Sequence, residues 1–368
     1  MKFIILKTKE GLEKFKSLYP HSGECGFFTC KYYYYVLKYI VIKLELGVKV
    51  KIKDININGK IVLAPLAGYT NQVYRKIAKD MGASLVYSEM ISSKGLLYDN
   101  DKTWDMTKID EMEHPIALQL FGGDIDEMVK AAIMLDNKSD CDIIDINMGC
   151  PVKKVLKANS GSFLLQDALK IEKMVSSVVK AVKKPVSVKI RAGWDHSKIN
   201  CVEVAKAIER AGASLITIHG RTKSDLYSGY VNLDYIKMVK DSVNIPVIGN
   251  GDIKSVSDAV KMLEYTNVDA IMIGRGTFGN PWLIKELYCY FNNIEFTPPT
   301  KKEKVDMMLY HFEELVKLKN EKIAVLEMRS LAAWYVKGFT NSKEFKQKLV
   351  YVQTKDEFIN LVRSLNID

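Results

Sequence analysis

Between residues 61 and 274, eight short apolar runs rich in β-branched residues recur, at 61–65, 85–88, 116–120, 143–147, 186–190, 215–219, 247–250 and 270–274. They stand roughly 25–40 residues apart, the length of one strand plus a crossover helix. Stretches between them, such as 167–183 and 202–211, carry apolar residues at helical spacing. Eight strand-then-helix repeats predict an α/β fold, a closed parallel (β/α)8 TIM barrel rather than an open sheet. In Asp145-Ile146-Asn147, Ser187-Val188-Lys189-Ile190-Arg191 and Leu215-Ile216-Thr217-Ile218-His219, polar and apolar side chains alternate. A period of two puts the polar set on one face of each strand and the apolar set against the outer helices. Polar residues gathered at the carboxyl ends of barrel strands are where such folds build active sites.

Past Thr300 the pattern becomes helical, at 303–319, 323–339 and 354–365, with no strand-like run left. The paired Pro298 and Pro299 forbid helix continuation, so a boundary falls there. Residues 50–296 read as the barrel, 301–368 as a C-terminal all-helical domain, and 1–49 as an N-terminal extension with no assigned role.

Charge changes this picture little. The chain of 368 residues carries a formal net charge of +10, but residues 1–60 hold 12 Lys+Arg against 5 Asp+Glu and residues 301–368 hold 13 against 10. The middle segment balances at 29 and 29, so the basic excess lies at the two ends. Such a distribution admits a nucleic-acid partner without demanding one. The aromatic run at 27–42 is interrupted by Lys31 and Lys38, well short of the ~20 apolar residues of a membrane span. It also lacks the layout of a secretory leader. A cytoplasmic protein, monomeric and without membrane attachment, is expected. The six cysteines include no C-x-x-C pair, so reduced thiols are expected rather than disulfides. Cys25 and Cys30 stand in a C-x4-C arrangement without a partner pair, and no metal site is expected.

The seventh and eighth runs end in Gly249-Asn250-Gly251-Asp252 and Gly274-Arg275-Gly276. Glycines there let backbone amides approach a ligand, and barrel phosphate sites commonly follow these two strands. Gly274, Gly276 and Gly279 also match a dinucleotide fingerprint, but no two strands follow to complete a Rossmann half. After the fourth run comes Asn147-Met148-Gly149-Cys150-Pro151. A thiol held between Gly and Pro at the catalytic mouth can donate or accept a proton. Lys189 and His219, at the ends of the fifth and sixth runs, face the same mouth, whereas His114, His196 and His311 read as structural, as do Cys141 and Cys201.

Those motifs stand in order with 63–70, Gln119-Leu120-Phe121-Gly122, His219-Gly220-Arg221-Thr222, Met328-Arg329 and Trp334-Tyr335-Val336-Lys337-Gly338. Together they resemble the tRNA-dihydrouridine synthases, most closely the bacterial B-type branch, from about Val50 to the C-terminus. The resemblance implies an oxidoreductase holding FMN at the barrel mouth through Pro65, Leu66, Ala67, Gln119, Lys189, His219, Asn250, Gly251, Asp252, Gly274 and Arg275. It implies NADPH or NADH as reductant, hydride delivery to C6 of a uracil in tRNA, and Cys150 as the acid that protonates C5. Asn147, Arg191 and Arg221 would seat the base, with Arg329 and Lys337 contacting the tRNA. Two departures stand out: Ser330-Leu331 replace the Lys-His usual after Arg329, and Asn71 replaces an aspartate, either of which can cap a helix. Three other readings give different expectations. A dihydroorotate dehydrogenase-like FMN barrel would turn over dihydroorotate, an inactive tRNA-binding barrel would have lost its flavin motifs, and a phosphosugar isomerase would be colourless.

Overall fold

The structure is a computed structural model that describes residues 50–367. The N-terminal extension, including Cys25 and Cys30, lies outside the described residues. A hairpin of β1 (Val50–Ile52) and β2 (Ile55–Ile57) comes first. Then follow β3 (Ile61–Leu63), β4 (Val86–Ser92), β5 (Ile116–Phe121), β6 (Ile143–Met148), β7 (Val186–Arg191), β8 (Leu215–His219), β9 (Val247–Asn250) and β10 (Ala270–Ile273). These eight strands pair in parallel in the order β3-β10-β9-β8-β7-β6-β5-β4. A bridge between Val62 and Leu85, with Leu63 N–H donating to the Leu85 carbonyl at 2.9 Å, joins the two ends and closes the barrel. Each expected run is a strand, with boundaries shifted by a few residues. β4 runs longest past its expected end, because a register shift between Tyr87 and Met90 carries it up to the mouth.

Side-chain alternation divides the barrel interior into levels. Near the strand starts, Leu85, Ala117, Ile143, Leu215, Ile248 and Ala270 form an apolar layer. Val50, Ile52 and Ile57 from the hairpin pack onto that layer, while Lys51 and Asn56 on its other face stay exposed. The hairpin is thus a plug at the amino end, each buried Val or Ile contributing roughly 1.5–3 kcal/mol. Higher up, the interior turns polar, with Gln119, Asp145, Ser187 and Thr217 fully buried. The sealed lower end leaves the carboxyl end as the barrel's open side.

Helices 301–319, 321–335, 342–349 and 355–363 form the C-terminal region. Thr300 starts it with a reciprocal capping box to Glu303. The single helix expected at 323–339 instead stops at Tyr335, and a further short helix begins at Ser342. Gly338 at φ +91° takes the chain out of helical geometry between them. This region shares an aromatic seam with the barrel. The Tyr69 and Phe278 rings stack at 4.1 Å, Phe278 meets Trp334 at 5.3 Å, and Tyr74 meets His311 at 5.6 Å. Gly279, at φ +59°, has no room for a side chain, since a Cβ would lie 2.3 Å from the Trp334 carbonyl carbon. The third glycine of the apparent fingerprint therefore serves helix packing.

Asn71 caps the helix Gln72–Asp80, its side chain accepting from Tyr74 N–H at 3.1 Å. Replacing it by Ala should cost about 1 kcal/mol of stability, the usual worth of such a cap. A lowered urea midpoint at unchanged slope would register the loss. An unchanged midpoint would mean that helix packing alone fixes this terminus.

Candidate active site

At the carboxyl end of the barrel lies a cavity of ≈ 390 Å³, within the range of cofactor and substrate sites. Its wall includes Pro65, Leu66, Ala67, Asn147, Cys150, Lys189, Arg191, His219, Asn250, Gly251, Asp252, Gly274 and Arg275. Residues scattered over some 200 positions of sequence meet here because each stands at or just past a strand end. Gln119 and Arg221 are buried and do not line it, Arg329 belongs to the C-terminal helix 321–335, and Lys337 lies in the turn just after that helix.

Lys189 Nζ donates to Asn250 Oδ1 at 2.9 Å, and Asn250 Nδ2 is anchored on the Met272 carbonyl at 2.7 Å. Burial, aided by neighbouring Arg191, brings the Lys189 ammonium down to about 8, with Asp145 and Cys150 opposing the fall. It is still mainly cationic at pH 7. His219 is driven well below its usual range by burial and by Lys189, Arg191, Arg221 and Arg275, so its imidazole is neutral. Its Nδ1 is buried without a hydrogen-bond partner, although the ring lines the cavity. An unpaired buried polar atom is costly, and one at a cavity wall marks a place for a polar ligand group.

Cys150 sits at the rim, 9% exposed. Asn147 Oδ1 accepts from the backbone N–H groups of Gly149 and Cys150 at 3.2 and 3.0 Å, and Ser162 N–H donates to the Cys150 carbonyl at 3.0 Å. Gly161, at φ +62°, lets the chain pass beneath, where a Cβ would be 2.7 Å from that same carbonyl. Burial pushes the thiol up, while the Val152 N–H, Arg191 and Lys189 favour the thiolate. The resulting group keeps its proton at neutral pH and has cations at hand once the proton leaves.

The two arginines expected to seat a base are both committed to the protein. Arg191 donates to the carbonyls of Gly149, Thr222 and Leu226 at 2.7–2.9 Å. Arg221 grips both oxygens of Asp252 and the carbonyls of Ser228 and Gly229. Both fasten the loop after β8 to the mouth. Arg275 stays 40% exposed, 3.4 Å from Asp252 and over the Tyr227 ring at 4.6 Å. Arg329 donates twice to the Val352 carbonyl, whereas Lys337 is exposed.

Sequence reasoning passed over Met90, Tyr227, Lys254 and Phe278, all in the cavity wall. Tyr227 carried a usable signal, an aromatic in a polar loop five residues past Thr222. His114 and His196 pair with Asp142 and Asp225 at 2.7 and 2.8 Å, and buried His311 faces the Tyr335 hydroxyl at 3.1 Å, all away from the cavity. Among the described residues, no cluster of potential ligands could hold a metal ion, and no helix is long and apolar enough to cross a membrane.

The dihydrouridine synthase (Dus) family profile matches residues 62–367, which carry the whole barrel mouth and all the C-terminal helices. The chain belongs to the dihydrouridine synthase family. It is 39% identical to tRNA-dihydrouridine synthase B of Pasteurella multocida over 320 residues, covering 86% of this chain and 96% of that protein. Against tRNA-dihydrouridine synthase B of Pseudomonas aeruginosa the identity is 37%, covering 83% and 92%. A probable tRNA-dihydrouridine synthase of Rickettsia bellii is likewise 37% identical, covering 81% and 91%. These relatives support the B-type branch. Among solved structures, TcOYE with pHBA has a TM-score of 0.52 at 15% identity, covering 71% of this chain and 96% of that one. Histamine dehydrogenase from Rhizobium sp. 4-9 also has a TM-score of 0.52, at 13% identity, covering 69% and 49%. These two similarities concern the barrel architecture alone.

Proposed function

We propose that this member of the dihydrouridine synthase family is an FMN-dependent tRNA-dihydrouridine synthase that reduces the C5–C6 bond of uridine, with Cys150 as proton donor. The observation that carries the reading is a protonated, loop-held thiol at the rim of a cavity whose wall also holds a neutral, unpartnered His219 and a cationic Lys189. The donor set fits a flavin phosphate: Gly251 and Gly274 keep side chains away from two strand ends, and Arg275 supplies an exposed cation. Lys189, His219 and Asn250 would hold the ring end, and Pro65 to Ala67 the edge beside Gly274. When bound, FMN reduced by NADPH or NADH supplies a hydride to C6 of the uracil.

The chain's own groups do the rest. Hydride arrival leaves enolate-like charge on the base, which the Cys150 Sγ–H discharges by protonating C5. Arg191 and Lys189 then favour the thiolate until solvent at the rim returns the proton. Because a stacked uracil cannot reach the cavity, the base must leave its stack. The helices of 301–368 read as the tRNA-holding domain.

Purified protein should be yellow and release FMN on denaturation. FMN affinity, followed by fluorescence, should weaken between pH 7 and pH 9 as Lys189 loses its proton near 8. A colourless protein that takes up no added FMN would overturn the function. A second measurement addresses RNA. Lys337→Ala should lower the salt slope of tRNA binding by about one unit, the signature of one lost phosphate contact on a duplex scale. Filter binding at several salt concentrations measures it. An unchanged slope moves the grip elsewhere, with the +7 segment of residues 1–60 next in line.

A further inference from the structure

Beneath the cavity, the barrel core holds a carboxylate that the mechanism does not use. Asp145, on β6, is completely buried two residues before Asn147. Its Oδ1 accepts from Ser187 Oγ at 2.5 Å and its Oδ2 from Gln119 Nε2 at 2.6 Å. Gln119 Oε1 accepts in turn from Asn147 Nδ2 at 2.8 Å, which leaves Asn147 Oδ1 to accept from the Gly149 and Cys150 N–H groups. Each link fixes the next. A carboxylate only accepts, so Gln119 must present its NH2 to Asp145 and its oxygen to Asn147. Asn147 must then present its NH2 to Gln119 and its oxygen to the cysteine loop. Gln119 has its backbone N–H bound to Ser88 Oγ at 2.9 Å, so the chain runs through a fixed residue.

We propose that Asp145 is a positioning residue for the proton donor: its carboxylate sets the orientation of two successive amides, Gln119 and Asn147, and so holds the Cys150 loop in place. The idea rests on the reading of Cys150 as the acid only for its functional meaning, because the geometry stands without it. The groups facing Asp145 are Ser187 and Gln119, with Lys189 and Tyr87 close enough to interact electrostatically. Burial raises the Asp145 carboxyl to about 6, against the pull of Ser187, Gln119 and Lys189, so it is ionised at neutral pH.

The chain predicts a polarity reversal and its rescue. In Asp145→Asn, Ser187 keeps the Asn oxygen and the new NH2 points at Gln119, which must turn over. Asn147 turns with it, and its NH2 then faces the Gly149 and Cys150 N–H groups instead of accepting from them. In Asp145→Asn with Gln119→Glu, the carboxylate at 119 accepts from both neighbours, and Asn147 returns to its original orientation. The readout is alkylation of Cys150 by iodoacetamide, followed by peptide-resolved mass spectrometry on the full chain. It requires neither tRNA turnover nor a catalytic role for Cys150, so its failure is separable from failure of the function. Asp145→Asn should alkylate at Cys150 roughly tenfold faster than wild type, the scale of the hydrogen bonding lost from the loop. Gln119→Leu, which cuts the chain one link later and unties Asn147 without reversing it, should accelerate alkylation too, but less than Asp145→Asn. The double variant should return toward the wild-type rate. Wild-type alkylation in both single variants, or a double variant no slower than Asp145→Asn, would overturn the proposal.

Discussion

Cys150→Ala is expected to slow dihydrouridine formation by ~10²-fold or more, the usual contribution of a general acid. The loss should fall on one half-reaction. Reduction of the bound flavin by NADPH needs no proton from residue 150 and should proceed as in the wild type. The thiol is suited to the role because burial keeps it protonated at neutral pH while Arg191 and Lys189 moderate the cost of the thiolate. Cys150→Ser should not rescue, since a hydroxyl in the same surroundings is a far weaker acid. The loop itself should survive either change, because Asn147 and Ser162 bind the backbone of residue 150 and not its side chain. Single-turnover assays with prereduced enzyme and tRNA isolate the relevant step. Equal losses in both half-reactions would make Cys150 a structural residue.

The sequence makes the barrel legible because its signal is repeated. Eight apolar runs with crossover spacing leave few other architectures, and polar alternation at Asp145, Lys189 and His219 points to the mouth. The hairpin at 50–57 left a fainter trace, although Val50, Ile52 and Ile57 do alternate with polar residues. Periodicity tells which face is apolar but not what that face will meet, so its place under the barrel emerges only in three dimensions. The same limit applies to polar side chains. Arg191, Arg221 and Asn147 stand in motifs at or beside the cavity, yet Arg191 binds three backbone carbonyls, and Arg221 and Asn147 divide their hydrogen bonds between backbone and distant side chains, partners that sequence does not display. Arg329 is a parallel case in the C-terminal region, tied to Val352. The aromatic seam joining Tyr69, Phe278 and Trp334 was equally hidden, since its members are separated by up to 265 positions. It also means that removing residues 301–368 would strip the cover from Phe278 and Tyr74. Single surface substitutions such as Lys337→Ala are therefore the cleaner probe of tRNA capture.

Arg221→Ala should destabilise the protein by about 3–5 kcal/mol, the scale expected when one partner of a buried ion pair is removed. Arg221 is 2% exposed and Asp252 20%, so solvent replaces little of what is lost. The substitution also leaves the carbonyls of Ser228 and Gly229 without their donor. Asp252, a left-handed residue at φ +53°, would keep only the Val231 N–H at 3.1 Å and the longer contact with Arg275. The pH dependence supplies a second signature. Burial pushes the Asp252 carboxyl up, but Arg221, the Val231 N–H and Arg275 outweigh it and hold the group below its ordinary value. A depressed carboxyl stabilises the fold above its unfolded value of about 4, and that contribution disappears as pH falls through the lower folded value. Wild-type stability should therefore drop on acidification below about pH 4 by more than that of the variant, which has already lost most of the term. Urea midpoints measured from pH 7 to pH 3 test both statements. Activity should fall as well, because the loop that Arg221 fastens carries Tyr227 into the cavity wall. Lys at this position offers a point charge without the planar fork that spans both carboxylate oxygens, so Arg221→Lys should recover only part of the stability. The competing role, direct contact with the uracil, predicts the opposite pattern: wild-type urea midpoints at every pH, with a raised KM for tRNA as the sole defect.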